Sequence, residues 1–128
     1  MRLLGQRYGK EGFAVYGAFT YDVLGGDDFN NRDIANLLTQ WSFLTADTIN
    51  ENLRFLAKLD VNGKEMHNLY RFLKRNSSLF VHRYGRARRI NEFYDKFLTN
   101  RYGEVKFYYG PRTEYAVIEA DIRKLLEE

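Results

Sequence analysis

Apolar residues recur along this chain mostly at helical spacing. Phe13, Tyr16, Gly17, Thr20, Tyr21 and Leu24 fall on one face, which predicts a helix over about 10–24 closed by Gly25-Gly26. Gly17 inside such a helix costs about 1 kcal/mol against alanine, so close packing of another helix is the expected compensation. Asp27, Asp28, Asn30 and Asn31 are capping residues before a second helix, about 31–43, striped by Ile34, Leu37, Leu38 and Trp41. Thr45 precedes a third, about 46–60, with capping-box spacing at Thr48-Ile-Asn-Glu51 and an apolar face of Ile49, Leu53, Leu56 and Leu59. Asn62-Gly63 then marks a tight turn.

Met66, Leu69, Tyr70 and Leu73 make a fourth amphipathic helix ending near Asn76-Ser77-Ser78, and 79–83 suits a short strand. Ile90, Phe93, Tyr94, Phe97 and Leu98 predict a fifth helix over about 87–99. Residues 105–109 and 115–118 flank Gly110-Pro111-Arg112-Thr113 and read as a β-hairpin. A terminal helix follows, with Ile118, Ile122, Leu125 and Leu126 on its apolar side. No low-complexity linker divides the chain. The expected fold is mainly α with a small β-hairpin (α+β), in a single domain over 1–128. Residues 1–63 form its helix-turn-helix-like core; a basic helix, a further helix, the hairpin and the terminal helix fill 64–128.

Three short helices joined by tight links match a helix-turn-helix arrangement. Within them, Arg7-Tyr8-Gly9-Lys10-Glu11-Gly12-Phe13-Ala14-Val15-Tyr16 resembles the Tyr-Gly-x-x-Gly-x-x-x-Tyr opening of winged-helix modules in phage and plasmid replication proteins. The replisome-organiser and DnaD-like N-terminal domains are of this kind. The resemblance covers residues 3–63 and implies a β-wing and a role in DNA binding or oligomerisation during replication initiation. The chain departs from that pattern after Leu59-Asp60, where 66–74 looks helical instead of paired in strands, and it lacks the usual lead-in before the first helix.

Charge sharpens this picture. Between Glu65 and Glu92 there is no acidic residue, while seven basic ones (Arg71, Lys74, Arg75, Arg83, Arg86, Arg88, Arg89) and both histidines lie there. The net charge of +3 thus conceals a positive block between two acidic flanks, a pattern that points to an anionic partner. Arginine dominates the block, which favours bidentate phosphate or carboxylate pairing, and Tyr84 adds a stacking surface. The helix-turn-helix half contributes Arg54 and Lys58 on the expected recognition helix, beside Asp47, Asn50 and Glu51, so that face is near neutral. Arg112 sits at the hairpin tip, within reach of a groove or phosphate. The same charges could also pair with an acidic protein surface.

Other chemistry is thin. There is no cysteine, which removes disulfides, thiolate metal sites and thiol nucleophiles from these residues. His67 and His82 lack carboxylates at metal-ligand spacing, so no metal or cofactor is expected. Asp95 with Glu104-Val-Lys106 imitates a metal-dependent nuclease pattern, but with Asp95 placed on a helix it lacks the strand pair such chemistry needs. No phosphate loop or serine elbow occurs. Arg-Tyr-Gly recurs at 7–9, 83–85 and 101–103, at spacings that fit no repeat architecture. The charged N-terminus and the absence of a long apolar run predict a soluble, cytoplasmic protein of a host cell, without membrane contact. The sequence therefore reads as a non-enzymatic DNA-binding protein, with DNA preferred over RNA, from a phage, virus or plasmid. It would act in replication or transcription control, with room for a homodimer. The second reading is a small viral interaction module that inhibits a host nucleic-acid enzyme.

Overall fold

The fold comes from a computed structural model that describes residues 1–20, 30–40 and 52–128, with backbone only for 37–40. It is an α/β fold instead of a helical one. Helix α1 is Arg2–Tyr8, and a 3-10 turn follows at Gly9–Glu11. Strand β1 (Val15–Gly17) pairs in parallel with β2 (Leu53–Phe55) in the register Val15↔Leu53, Tyr16↔Arg54, Gly17↔Phe55. Parallel pairing requires a crossover, and the connecting segment contains α2, Asn31–Gln40. Then come α3 (Asn68–Arg75), the short strands β3 (Phe80–Val81) and β4 (Arg86–Ala87), the strands β5 (Lys96–Thr99) and β6 (Val105–Tyr109), and α4 (Tyr115–Leu126).

The expected helix over 10–24 does not form in its described part. Gly12 at φ +101° ends the 3-10 turn in the left-handed region, and Val15 is β-branched, so the chain leaves extended. Tyr16, expected in a helical core, points outward from β1 at 58% exposure. Gly17 does meet a close neighbour, but it is the Phe55 ring of β2: a Cβ there would lie 2.7 Å from Phe55 Cε1. The third helix is likewise replaced over its described part by β2 and an extended run that reaches the Thr20↔Leu59 bridge. The cap at Thr48, the Gly25-Gly26 stop and Trp41 lie outside the described residues. With two of its three helices gone, the helix-turn-helix core is overturned.

The second, fourth and terminal helices do form. Asn30 caps α2, its Oδ1 accepting from Arg32 N at 2.9 Å and Asp33 N at 3.0 Å, while Asp33 Oδ2 accepts from Asn30 N. The C-terminal half departs elsewhere. In place of a fifth helix the chain runs through β4, a loop and β5, because Phe97 and Leu98 serve opposite faces of a strand. β6 is the expected strand with an unexpected partner: it pairs antiparallel with β5, from Lys96↔Tyr109 to Thr99↔Val105. Residues 115–118 instead begin α4.

The β5–β6 hairpin is the middle layer. On one face Leu98 and Tyr109 join Leu4 and Tyr8 of α1 and Ile118, Ile122 and Leu125 of α4. On the other, Phe97 and Tyr108 pack against Leu59, Val61, Leu79, Ile90 and Tyr70. Strand alternation produces both faces from neighbouring residues. α1 and α4 are also tied by Glu119, which accepts from Tyr8 Oη at 2.7 Å and pairs with Arg7.

Candidate functional site

The acid-free block does not assemble into one uniform phosphate-binding face. Lys74 is buried at 2% exposure, with Nζ donating to Val61 O at 3.1 Å and Asn62 Oδ1 at 2.9 Å. Arg71 donates to Lys64 O and Met66 O, and Arg88 to Ser78 O. Arg75 lies over the Phe80 ring at 5.7 Å, while Arg83 and Arg86 lie 5.7 Å and 6.0 Å from the Tyr84 centroid. Arg54 is on β2, Lys58 is buried, and Arg112 meets Glu92 at 3.4 Å. Of the two histidines, His67 caps α3 by accepting from Leu69 N, and His82 packs edge-on against Phe80.

Asp95 is not helical but stands just before β5. Lys96 pairs with Tyr109 at one end of the hairpin and Thr99 with Val105 at the other, so Glu104 and Lys106 lie roughly 13 Å away along the strands. The nuclease pattern does not come together. No group of acidic or histidine side chains with metal-holding geometry exists among the described residues.

Asp95 does take part in another arrangement. Its Oδ2 accepts from Tyr108 Oη at 2.8 Å, across the hairpin. Oδ1 is buried without a hydrogen-bond partner among the described residues. The pair lines a cleft of about 160 Å³ with Arg89, Asn91, Glu92 and Pro111. The preceding residue, Tyr94, has φ +71° and is 81% exposed; a non-glycine residue held in this region is strained, and such strain clusters at functional sites. Lys96 Nζ donates to the Tyr94 carbonyl at 2.5 Å and holds that turn.

The electrostatics follow from burial. Desolvation raises the Asp95 carboxyl above its ordinary value, opposed by the Tyr108 hydrogen bond and by Lys96 and reinforced by Glu92. Burial, then the bond to Asp95, pushes the Tyr108 phenol up to about 12. The Tyr108 phenol therefore keeps its proton and donates it to the Asp95 carboxyl group beside a small cleft. This bond was missed in the sequence because the partners are 13 residues apart on two strands whose pairing was not foreseen.

A pH prediction follows. Between pH 10, the ordinary phenol value, and about 12, the unfolded chain loses the Tyr108 proton while the native state keeps it. The unfolded state then binds fewer protons, so stability falls as pH rises through that window. Tyr109, raised by burial and its bond to Asp121, acts in the same direction. Tyr108→Phe is expected to make the fall shallower, read from urea midpoints across the window. An unchanged slope would contradict the assignment.

No family model matches this chain. Curated relatives do. It is 32% identical over 126 residues to a probable phospholipid hydroperoxide glutathione peroxidase of Solanum lycopersicum, covering 98% of this chain and 68% of that protein. A protein of the same description from Helianthus annuus is 32% identical over 123 residues, covering 96% of this chain and 62% of that one. A glutathione peroxidase of Lactococcus lactis is 39% identical over 69 residues, covering 54% of this chain and 41% of that one. The chain thus spans less than two thirds of the sunflower and Lactococcus proteins. Among solved structures, Trgpx in its apo form superposes with a TM-score of 0.52 at 19% identity, over 94% of this chain and 85% of that one; the fold is shared, thioredoxin-like α/β.

These relatives overturn the winged-helix resemblance over 3–63 and the DNA-binding reading, with its viral, replication and transcription roles. The alternative of a viral inhibitor module and the non-enzymatic expectation are overturned with it. The physical side agrees. The expected recognition helix is replaced over its described part by β2 and non-helical chain, and Lys58 and Lys74 are both buried.

Proposed function

Because this chain belongs to the glutathione peroxidase family, we propose that it forms the larger part of a peroxidase that reduces hydroperoxides at the expense of a thiol reductant. The observation that carries this reading is similarity spread over 126 of 128 residues to the tomato protein. Such chemistry needs a thiolate that attacks the peroxide O–O bond, leaves as a sulfenic acid and condenses with a reductant thiol. The 128 residues hold no cysteine. The thiolate is therefore assigned to a residue outside them, on the same polypeptide or on a partner. What these residues supply is the α/β scaffold. Cleaving the O–O bond releases an alkoxide or hydroxide that takes up a proton to leave as an alcohol or water.

The test uses the protein isolated from its own cells, with intact mass and co-purifying chains recorded. Hydroperoxide-dependent oxidation of glutathione or thioredoxin is expected, abolished by alkylating thiols, whereas the 128 residues alone are inactive. A native preparation with a cysteine-bearing segment but no turnover would overturn the reading, as would turnover that survives alkylation.

A further inference from the structure

At the exit of α3 two neighbouring serines have different surroundings. The helix ends at Arg75, Asn76 closes it, and the chain turns through 77–80, where Phe80 N donates to Ser77 O at 3.1 Å. Ser77 is committed to that turn: its hydroxyl donates to Lys74 O at 3.0 Å and accepts from Leu79 N at 3.3 Å. Ser78 is exposed. Its carbonyl accepts from the Arg88 guanidinium at 3.0 Å. Arg88 is fixed at this turn by its own amide, which donates to Leu79 O at 2.8 Å. Arg75, three residues before Ser78, is also exposed and lies over the Phe80 ring at 5.7 Å. Neither arginine belongs to any of the three ion pairs among the described residues. The sequence places no acidic residue between Glu65 and Glu92.

We propose that Ser78 is a phosphorylation site, read by a serine kinase through Arg75 and held after modification by Arg88. In that transfer Ser78 Oγ attacks the γ-phosphorus of ATP and the bond to the β,γ-bridging oxygen breaks. The hydroxyl proton passes to the kinase's catalytic aspartate, and ADP departs. Kinases choose their serines by charge pattern, and Arg75 is the exposed cation upstream of Ser78. It is also the last residue of α3, where helices fray most readily, so presenting it together with Ser78 leaves the rest of the helix wound. The product has its own receptor. Phosphate and carbonyl then belong to one residue, which brings the phosphate beside a guanidinium that already touches the carbonyl. Guanidinium and phosphate make charge-assisted bonds, bidentate where the fork is free. A phosphate set against arginines orders the segment that carries it, and here the bond ties the exit of α3 to the residue that follows β4. The proposal goes beyond the peroxidase reading and stands without it.

The test treats the full chain with magnesium ATP and the catalytic subunit of cyclic-AMP-dependent protein kinase, an arginine-directed serine kinase. One phosphate is expected, placed on Ser78 by fragment masses; Ser78→Ala removes it and Ser77→Ala keeps it. Arg75→Gln should lower kcat/KM for the transfer at least about tenfold, the loss of one charge-assisted bond. Lys124→Gln, the same charge change at another exposed site, should stay within about twofold of the parent. Phosphorylation should raise the folding equilibrium constant about tenfold, read from urea midpoints at unchanged m-value. Arg88→Gln should abolish that gain while still accepting the phosphate. Phosphate on another residue, transfer indifferent to Arg75, or an equal gain in Arg88→Gln would overturn the proposal. So would incorporation that occurs only after urea unfolding, or none at all.

Discussion

Replacing Asn62 with alanine is expected to cost about 4 kcal/mol of folding stability, as the sum of three lost hydrogen bonds and the partners left buried without them. Asn62 is 4% exposed and acts as a polar node between two segments. Its Oδ1 accepts from Lys74 Nζ at 2.9 Å and from Ile90 N at 2.8 Å, and its Nδ2 donates to Ile90 O at 2.8 Å. The pairing with Ile90 mimics a strand ladder and fixes the chain just before the cleft residues. Truncation would orphan the Ile90 amide and carbonyl and deprive a buried ammonium of one acceptor. Lys74→Met is expected to cost less, about 1–2 kcal/mol, because it removes the charge together with the donor of both bonds, to Val61 O and Asn62 Oδ1, and keeps the volume. Urea unfolding of the two variants at constant m-value checks this order. A loss below about 1 kcal/mol for Asn62→Ala, or a larger one for Lys74→Met, would show that the node is not what holds these segments.

That node also shows where the sequence stopped being legible. Asn62-Gly63 reads as a turn and Lys74 as a surface charge, since lysine is almost never fully buried. No spacing reveals that α3 lays Lys74 onto the Val61 carbonyl. What could be read were helices with local signals: the Asn30 cap of α2, the amphipathic stripe of α3, and the Ile118–Ile122–Leu125 spacing of α4. What could not were strands whose two faces are both covered. Phe97-Leu98 and Tyr108-Tyr109 each send one side chain into each core, and beside Ile90, Phe93 and Tyr94 such doublets imitate a wide helical face. Pairing β6 with the downstream residues 115–118 then concealed the bond that Tyr108 makes to Asp95. The family was hidden for a chemical reason. A thiol peroxidase is recognised by its thiol, and none lies in these residues, so the most conspicuous remaining feature, the arginine block, drew the reading to nucleic acid. The exposure of its arginines, Lys74 apart, stands as an observation. The partner assigned to it does not.

Ile118→Ala is expected to cost about 3–4 kcal/mol, combining lost transfer energy with the cavity left in a core that cannot collapse. Ile118 and Ile122 are each 1% exposed and stand one helical turn apart, so both aim at the hairpin face formed by Leu98 and Tyr109 and at Leu4 and Tyr8 beyond. The polar ties beside them are weaker. Tyr8→Phe removes one hydrogen bond to Glu119 and is expected to cost about 1 kcal/mol, and the exposed Arg7–Glu119 pair adds little. Val117→Ala, next in the chain but 50% exposed, should stay within about 0.5 kcal/mol of the parent. Thermal or urea unfolding of these variants ranks the contributions. If Tyr8→Phe proved as damaging as Ile118→Ala, α4 would be held by its carboxylate clamp. The expected order instead has apolar burial holding α1 and α4 on one face of the hairpin, with Glu119 adding only a polar tie between the two helices.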